Sequence, residues 1–217
     1  MEQDLTVKIY WLDYIKSTQL YLKDALKKEN LITPVAVATL NQTDGVGSRG
    51  NSWVGVEGNL FFSFAIKRDS LPDDLKLESA SIYFMYLLKE VLKKHGSRCW
   101  LKWPNDLYID RDKIGGCITN IQGEDIICGI GVNIKKAPDG FKKIDIDFDS
   151  RELLDEYMNL IEKKISWKQI FSKYKLEFED NISLIPHTSD NEVSFVDAQM
   201  MDDGSLVCNG QRIYSQR

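Results

Sequence analysis

Residues 99–134 read CWLKWPNDLYIDRDKIGGCITNIQGEDIICGIGVNI and contain four short apolar runs. Three polar turn sequences separate these runs: Pro104-Asn105, Arg111-Asp112 and Gly123-Glu124-Asp125. Proline, glycine, asparagine and aspartate are the residues that tight turns favour. The pattern therefore predicts four strands joined as an antiparallel meander, within a mixed or antiparallel sheet.

Helical spacing of apolar residues predicts four helices outside this meander, at residues 17–29, 77–95, 151–164 and 167–179. Ser17 or Thr18 can cap the start of the first helix with its hydroxyl group, and Gly96 ends the second. Helices packed on a mixed or antiparallel sheet correspond to an α+β fold class.

The chain changes character from about residue 181. Residues 202–204, DDG, favour a turn, and Asn209-Gly210 is typical of a two-residue hairpin in which both residues have positive φ. We therefore expect a main domain over residues 1–180 and a small β domain over residues 181–217. A unit of fewer than about 40 residues has to dock on a larger one to be stable.

The composition is that of an ordinary globular protein, with 217 residues of which 43% are hydrophobic and 28% are charged. Lysine and arginine number 28 against 33 aspartate and glutamate residues, so the net charge is −5. This balance excludes a global positive field that would attract DNA or an anionic membrane. We therefore expect neither as a partner.

The four cysteines, at positions 99, 117, 128 and 208, are widely spaced and include no CxxC pair. Only two histidines accompany them, so a structural zinc site is not expected. Their apolar surroundings favour buried free thiols. We find no secretory signal sequence and no apolar run of about 18 residues. The sequence predicts a cytoplasmic protein.

A glycine-rich loop at residues 45–50, GVGSRG, lies between predicted strands at 34–39 and 60–66. Its G-x-G-x-x-G pattern allows backbone N–H groups to converge on an anion. A dinucleotide-binding fold would require a helix after the loop, but a strand follows. A protein kinase would require H-R-D and D-F-G sequences, which this chain does not contain. An anion-binding loop and a surface turn without a ligand both remain open.

A second polar stretch lies at residues 102–106. Lys102, Asn105 and Asp106 offer a cation for phosphate, an amide for a base edge, and a carboxylate for a proton or Mg²⁺. The alternative is a solvated turn between two strands, in which Lys102 is merely exposed.

A third polar stretch combines Lys113 with glycines on apolar strands. Residues 115–116 are both glycine, and Gly129 and Gly131 alternate with apolar residues before Asn133. Alternation places Gly129 and Gly131 on one face of a strand, where a flat ligand can approach the backbone. The alternative is a β-bulge together with close helix–sheet packing.

Five stretches together resemble the biotin protein ligase family over residues 10–135. They are STQ at 17–19, NQTDGVGSRGNSW at 41–53, KWPNDL at 102–107, DKIGG at 112–116 and GIGVN at 129–133. The resemblance implies a catalytic domain of the class II synthetase-like type and a small SH3-like carboxy-terminal domain. It also implies a short form without the amino-terminal helix-turn-helix that some relatives use to repress transcription.

The reaction that the resemblance implies has two steps. Biotin reacts with ATP, in the presence of Mg²⁺, to give biotinyl-5′-AMP and pyrophosphate, and a lysine of a carrier protein then takes the biotinyl group. The implied partner is a biotin carboxyl carrier domain of the acetyl-CoA carboxylase or pyruvate carboxylase type. An exposed edge strand leaves a monomer and a homodimer both open.

The same resemblance assigns the site residues. The catalytic residues are Lys113, Lys102, Arg49 and Asp106. The biotin-binding residues are Ser17, Thr18, Gln19, Gln42, Gly45, Val46, Gly47, Ser48, Trp53, Lys113, Gly115 and Gly116. The ATP-binding and adenylate-binding residues are Gly47, Arg49, Gly50, Trp53, Lys102, Asn105, Lys113 and Asn133. Asp106 is in addition a candidate ligand for magnesium.

The glycine-rich loop departs from the family pattern, because many relatives carry G-R-G-R-R-G there. Val46 and Ser48 occupy the positions of the first two arginines, and only Arg49 keeps its charge. With two fewer cations to close over the acyl phosphate, we expect faster loss of biotinyl-AMP.

Two other functions are compatible with these residues. A lipoate or octanoate ligase resembles this family in fold and differs in the acid that it holds, but its usual third consecutive glycine and downstream histidine are missing here. A non-catalytic biotin-binding or nucleotide-binding module would keep the pocket and tolerate loss of Lys113.

Overall fold

The computed structural model describes residues 6–181 and 198–214. The strands are β1 (Lys8–Leu12), β2 (Val35–Thr39), β3 (Gly45–Val46), β4 (Ser52–Trp53), β5 (Leu60–Lys67), β6 (Trp100–Lys102), β7 (Asp106–Ile109), β8 (Asp112–Gln122), β9 (Asp125–Val132), β10 (Gln199–Met200), β11 (Leu206–Cys208) and β12 (Gln211–Ile213). The helices are α1 (Thr18–Lys27), α2 (Ala80–Lys94), α3 (Ser150–Glu162) and α4 (Trp167–Asn181).

The main sheet has the strand order β1-β2-β5-β9-β8-β7-β6. β1 pairs with β2 in parallel, and the other pairs in this sheet are antiparallel. The meander predicted from residues 99–134 is therefore confirmed as β6 to β9. The α+β fold class is confirmed as well, since the sheet is mixed and helices pack on it.

The predicted helices agree with the structure except at their ends. The Ser17 hydroxyl caps α1 by accepting the Leu20 N–H at 3.3 Å, and Gly96 follows α2 with a φ of +92°. The second helix was expected from residue 77, but a 3-10 turn covers 77–79 and α2 begins at Ala80. Strand β1 was not predicted, because KIYWL is partly exposed and has no strict polar–apolar alternation.

Helices cover both faces of the sheet, which explains why β2 is buried along its full length. On one face, Phe64 packs edge-on against Phe84 of α2, and Phe62 packs edge-on against Tyr157 of α3. On the opposite face, Leu22 of α1 packs in a smaller cluster that includes Val35, Val37, Ala65 and Ile127. This second face also carries the candidate site.

β10, β11 and β12 form a separate three-stranded antiparallel sheet. Asn209 and Gly210 join β11 to β12 with φ values of +50° and +74°, as the Asn-Gly pair predicted. Met200, Leu206 and Cys208 are buried in the main hydrophobic core. The domain boundary at residues 180/181 and the SH3-like assignment stay predictions, and the expected strand signals before residue 198 lie outside the described residues.

Backbone carbonyl groups of one turn attach this small sheet to the main body. Trp167 Nε1 donates to the carbonyl of Asp202, Ser79 Oγ to that of Asp203, and Trp103 Nε1 to that of Gly204, each at 2.7 Å. The turn at residues 202–204 is thus held from three separate parts of the larger unit.

The four cysteines are free and buried, as their apolar surroundings predicted. No helix in the described ranges has the length and apolar character that a membrane span requires.

Candidate active site

A cavity of about 370 Å³ lies on the sheet face that carries α1. Its walls come from the start of α1, the glycine-rich loop, the middle of β8 and β9, and the segment after β9. The lining residues that the sequence predicted are Ser17, Thr18, Gln19, Gln42, Val46, Gly47, Ser48, Trp53, Asn105, Asp106, Lys113, Gly116 and Asn133. Residues from five separate stretches are therefore brought to one space.

The floor of the cavity is smooth because β9 presents glycines there. A methyl group on Gly129 would lie 2.5 Å from Gln19 Oε1, and one on Gly131 would lie 2.6 Å from the Trp53 ring. Both glycines thus point to the cavity face, as alternation along the strand predicted. A side chain at either position would displace Gln19 or Trp53, which lie close against β9 and line the cavity.

A chain of hydrogen bonds organises one end of the cavity. Ser63 Oγ donates to Thr18 Oγ1 at 2.9 Å, and Thr18 Oγ1 donates to Gln42 Oε1 at 3.1 Å. The Thr18 backbone N–H also donates to Gln42 Oε1, at 2.9 Å. A backbone N–H can only donate, so it fixes the orientation of the Gln42 amide and turns Nε2 toward Gly45.

Three buried polar atoms of the cavity have no hydrogen-bond partner: Gln19 Oε1, Asn105 Oδ1 and Trp53 Nε1. Gln19 Nε2 donates to Asn120 Oδ1 at 3.0 Å, and Asn105 Nδ2 donates to the Cys117 carbonyl at 2.6 Å. Buried polar groups without partners are uncommon in folded proteins. The cavity therefore offers two hydrogen-bond acceptors and one donor to a ligand that is partly polar.

Lys113 and Asp106 form an ion pair at the cavity wall, with 2.8 Å between Nζ and Oδ1. Lys113 Nζ also lies 5.3 Å from the centroid of the Trp53 ring. The ion pair and the ring hold the ammonium group in position beside the space where a ligand would lie. An anionic ligand would meet this cation first.

Lys102 lies next to this pair but does not line the cavity. Its Nζ contacts the Tyr108 hydroxyl at 3.3 Å. Burial lowers the pKa of Lys102, the Asp106 carboxylate opposes this shift, and the Lys113 ammonium adds to it. Lys102 is therefore a cation beside the site. Only a ligand that extends beyond the cavity would reach it.

The glycine-rich loop forms a small hairpin, in which Gly45 pairs with Trp53 and Val46 with Ser52. Gly45 lies under Trp53, and Gly50 is at the tip of the loop with a φ of +78°. Neither lines the cavity, and the side chain of Arg49 lies outside what the structure describes. The loop covers one side of the cavity with its backbone and with short side chains.

Gly115 is the other predicted residue that does not line the cavity. A methyl group there would lie 2.9 Å from the backbone oxygen of Gly131, so Gly115 serves the close approach of β8 to β9. Leu107 pairs with Gly115 but Tyr108 pairs with Lys113, so Ile114 is a bulge in β8. The sequence left a bulge and a ligand surface open for this stretch. The bulge is at Ile114, and the cavity surface includes the nearby Lys113 and Gly116.

Several lining residues were missed from the sequence, namely Asn51, Ser52, Val54, Ser63, Cys117, Ile118, Ile130, Pro138 and Phe141. Ser63 offered one signal, since it is the single polar residue in the run LFFSFAI. Pro138 and Phe141 lie in an irregular segment, where an apolar residue has no periodicity that would mark it.

The described residues do not form a metal site by themselves. Within residues 6–181 and 198–214, no three histidine, cysteine, aspartate or glutamate side chains lie together as metal ligands. The Asp106 carboxylate is engaged by Lys113. A magnesium ion would therefore depend on ligands from a substrate.

Comparison with known proteins supports the resemblance found in the motifs. Residues 11–135 match the model of the biotin/lipoate A/B protein ligase family. A bifunctional ligase/repressor BirA from Bacillus subtilis is 28% identical over 134 residues, which cover 59% of this chain and 41% of that protein. BirA from Escherichia coli is 31% identical over 130 residues, covering 57% and 39%. This chain thus matches about two-fifths of the length of these curated relatives.

One solved structure is similar over nearly the whole chain. The biotin acetyl coenzyme A carboxylase synthetase from Helicobacter pylori, with bound biotinylated ATP, is 37% identical and has a TM-score of 0.89. The match covers 96% of this chain and 100% of that one. The family model spans more than half of this chain, and the solved structure shares its fold along almost all of it. The chain therefore belongs to the biotin/lipoate A/B protein ligase family.

Proposed function

We propose that this protein is a biotin protein ligase, which joins biotin to a lysine of a carrier protein through biotinyl-5′-AMP. The observation that carries the proposal is the cavity itself. It combines an unpaired acceptor at the α1 end, Gln19 Oε1, with a fixed cation at Lys113 and further amides at Asn105 and Asn133. Its volume of about 370 Å³ lies within the range of small-molecule sites.

Biotin is proposed to bind with its ureido ring at the α1 end. Gln19 Oε1 can accept from a ureido N–H, and Gln42 Nε2 can donate to the ureido oxygen. The Gly129 and Gly131 floor leaves room for the fused rings. Biotin then points its carboxylate toward Lys113.

The first step is attack of the biotin carboxylate oxygen on the α-phosphorus of ATP. A new oxygen–phosphorus bond forms, the bond from the α-phosphorus to the bridging oxygen breaks, and pyrophosphate leaves. Two anions must approach each other, so the ammonium group of Lys113 stabilises the charge that builds up between them. Lys102 and Arg49 are the further cations that we propose for the phosphates.

The nucleotide is proposed to occupy the end formed by Trp53, Asn105 and Asn133. Asn105 Oδ1 and Trp53 Nε1 are unpaired there, and both can hydrogen-bond to an adenylate. Gly47 and Gly50 let the loop backbone approach the phosphate. Mg²⁺ would enter with the triphosphate, which carries the oxygen ligands that the ion prefers.

The second step is attack of the carrier lysine amine on the carbonyl carbon of the mixed anhydride. A carbon–nitrogen bond forms, the bond to the phosphate oxygen breaks, AMP leaves and the amine loses a proton. Asp106 is the carboxylate that contacts Lys113, and we propose that it orients the amine or takes its proton.

The proposed partner is a biotin carboxyl carrier domain of the acetyl-CoA or pyruvate carboxylase type. The Helicobacter pylori structure is named for acetyl coenzyme A carboxylase, which favours the first type. A cytoplasmic location belongs to the same proposal, and a monomer and a homodimer both stay open. DNA and membranes are not proposed as partners, because the net charge is −5.

Exchange of labelled pyrophosphate into ATP tests the first step without any carrier protein. Wild type should catalyse exchange with biotin, but not with lipoate or octanoate. Lys113→Ala should lower the rate by about 100-fold or more, since it removes the cation at the reacting groups. Lys28→Ala is the matched control, because Lys28 pairs with Asp24 at an exposed end of α1.

The other outcomes identify the alternatives. Exchange with lipoate or octanoate in place of biotin would indicate a ligase for that acid. Biotin binding without exchange, unchanged in Lys113→Ala, would indicate a binding module.

A further inference from the structure

Asn59 lies just before β5, is fully buried, and does not line the cavity. Its Oδ1 accepts three consecutive backbone N–H groups, those of Ile134, Lys135 and Lys136, at 2.9, 3.0 and 3.2 Å. One amide oxygen thus shapes the turn that follows β9. Asn133 is the residue immediately before this turn, and it does line the cavity.

The backbone donors fix the orientation of two side-chain amides. Because N–H groups can only donate, they assign Oδ1 of Asn59, and its Nδ2 must then face the Lys136 carbonyl at 2.8 Å and Asn133 Oδ1 at 3.3 Å. Asn133 Nδ2 in turn donates to the Lys142 carbonyl at 3.0 Å. Reversing either amide would place like groups against each other.

Asn133 is left with one N–H and one oxygen lone pair after these two bonds. An asparagine amide can bind adenine by donating to a ring nitrogen and accepting from the exocyclic amino group. That pairing requires each group of the amide to point in one defined direction. The direction is set by Asn59 on one side and by the Lys142 carbonyl on the other.

We infer that Asn59 is a positioning residue for the nucleotide, acting through Asn133 without touching ATP. The inference rests on the proposed function, in which the Asn133 end of the cavity holds the adenylate. Biotin lies at the other end, where Thr18, Gln19 and Gln42 belong to a separate hydrogen-bond network. Loss of the Asn59 donor should therefore affect ATP and spare biotin.

Asn59→Asp is the most specific test. It keeps an oxygen for the three backbone N–H groups and replaces only the donor group Nδ2. Its second oxygen would face both the Lys136 carbonyl and Asn133 Oδ1 and would repel both. In pyrophosphate exchange we expect the KM for ATP to rise about tenfold, the value of one lost hydrogen bond, while the KM for biotin stays within about twofold.

A double-variant cycle tests whether Asn59 acts through Asn133. Asn133→Ala should raise the KM for ATP, and adding Asn59→Asp to it should raise that KM no further. Ser79→Ala is the matched control, since it also removes a buried hydrogen bond, at 2.7 Å to Asp203, but far from Asn133. It should leave both KM values unchanged.

Asn133→Asp tests the second contact that orients the Asn133 amide, the one to the Lys142 carbonyl, in case Asn59→Asp does not fold. It keeps an acceptor for Asn59 but sets an oxygen against the Lys142 carbonyl, so the same selective effect on ATP is expected. The inference is overturned if this variant or Asn59→Asp leaves the KM for ATP unchanged, if the KM for biotin rises equally, or if the cycle is additive.

Titration calorimetry with ATP separates this inference from the proposed function. If wild type shows no biotin-dependent exchange, the proposed function fails, but a tenfold weaker binding of ATP to Asn59→Asp would still support the role of Asn59. Equal ATP binding by both proteins would overturn it.

Discussion

Val46 and Ser48 line the cavity where many members of the family carry arginine. Val46 is 39% exposed and Ser48 is half-buried. Neither side chain can form a charge-assisted hydrogen bond to an acyl phosphate, which an arginine forms with two parallel N–H groups. We therefore expect Val46 and Ser48 to weaken retention of the proposed biotinyl-AMP intermediate.

Ser48→Arg should slow the dissociation of biotinyl-AMP by about tenfold, since a charge-assisted hydrogen bond contributes roughly 1.5 to 3 kcal/mol and part of this is lost in an exposed loop. The measurement is a chase of labelled biotinyl-AMP formed on the enzyme. Ser48→Gln is the control for side-chain length without charge. Equal dissociation rates for wild type and Ser48→Arg would contradict the prediction.

The site residues that sequence analysis found lie in short polar or glycine-containing motifs, at the start of a helix, in a loop or within an apolar strand. Thr18, Gln42 and Lys113 are of this kind, and the fold brings them to one cavity. Asn59 and Phe141 were not found, because their role depends on contacts with residues more than 70 positions away or on an irregular segment. Such contacts follow from tertiary packing, which no local pattern records.

At the scale of elements, β8 and β9 build most of the cavity floor. The bulge at Ile114 places Lys113 and Gly116, which are three residues apart, on the same cavity-facing side of β8. The sequence predicted both strands and their turn, but a bulge changes the register by one residue and leaves no trace in the polar–apolar pattern of a glycine-rich strand. The orientation of Lys113 therefore required the structure.

Gly131→Ala should displace Trp53, because the added methyl group would lie 2.6 Å from its ring. We expect the KM for ATP to rise about tenfold, and overpacking to lower the free energy of unfolding by about 1 kcal/mol or more. Exchange kinetics and urea unfolding measure the two effects.

The background of a Trp53→Ala variant provides the control for this prediction. Without the indole ring the methyl group at position 131 has space, so Gly131→Ala should add little to the KM for ATP. If Gly131→Ala still raises the KM for ATP about tenfold in that background, the methyl group obstructs the ligand directly and does not act by displacing Trp53.

At the scale of the whole molecule, the sequence predicted a main unit and a small β unit, with docking required by size. The Asn-Gly hairpin was predictable from local chemistry, since few residues adopt positive φ. The docking contacts were not predictable, because two of their three donors are tryptophan N–H groups, and nothing in the sequence indicates which distant group such a donor binds. Their acceptors are backbone carbonyls, which every residue possesses.

Asp203 supports the docked sheet and makes its stability depend on pH. Burial raises the pKa of Asp203, but hydrogen bonds from Ser205 and Arg212 outweigh it and lower the pKa to about 2. A carboxyl group in an unfolded chain has a pKa of about 3.9. The stabilisation is therefore complete above about pH 5 and is lost as the pH falls through about 4 toward 2.

Asp203→Asn should lower the free energy of unfolding at pH 7 by on the order of 1 kcal/mol, because it removes the charge that Ser205 and Arg212 bind. The difference from wild type should shrink between pH 5 and pH 3, as measured by urea unfolding at each pH. Asp202→Asn is the control, since Asp202 is the exposed neighbour. A difference that stays constant with pH would contradict this account.

The three bonds that hold the turn at residues 202–204 all end on main-chain carbonyls. Evolution can therefore replace the side chain of Asp202 without losing the attachment, whereas the Asp203 carboxylate also accepts hydrogen bonds from Ser205 and Arg212. Gly204 is constrained as well, because its φ is +74° and a methyl group would lie 2.7 Å from Ile82. A chimaera that exchanges the tail between relatives should assemble when it keeps Asp203 and Gly204, whatever residue it carries at position 202.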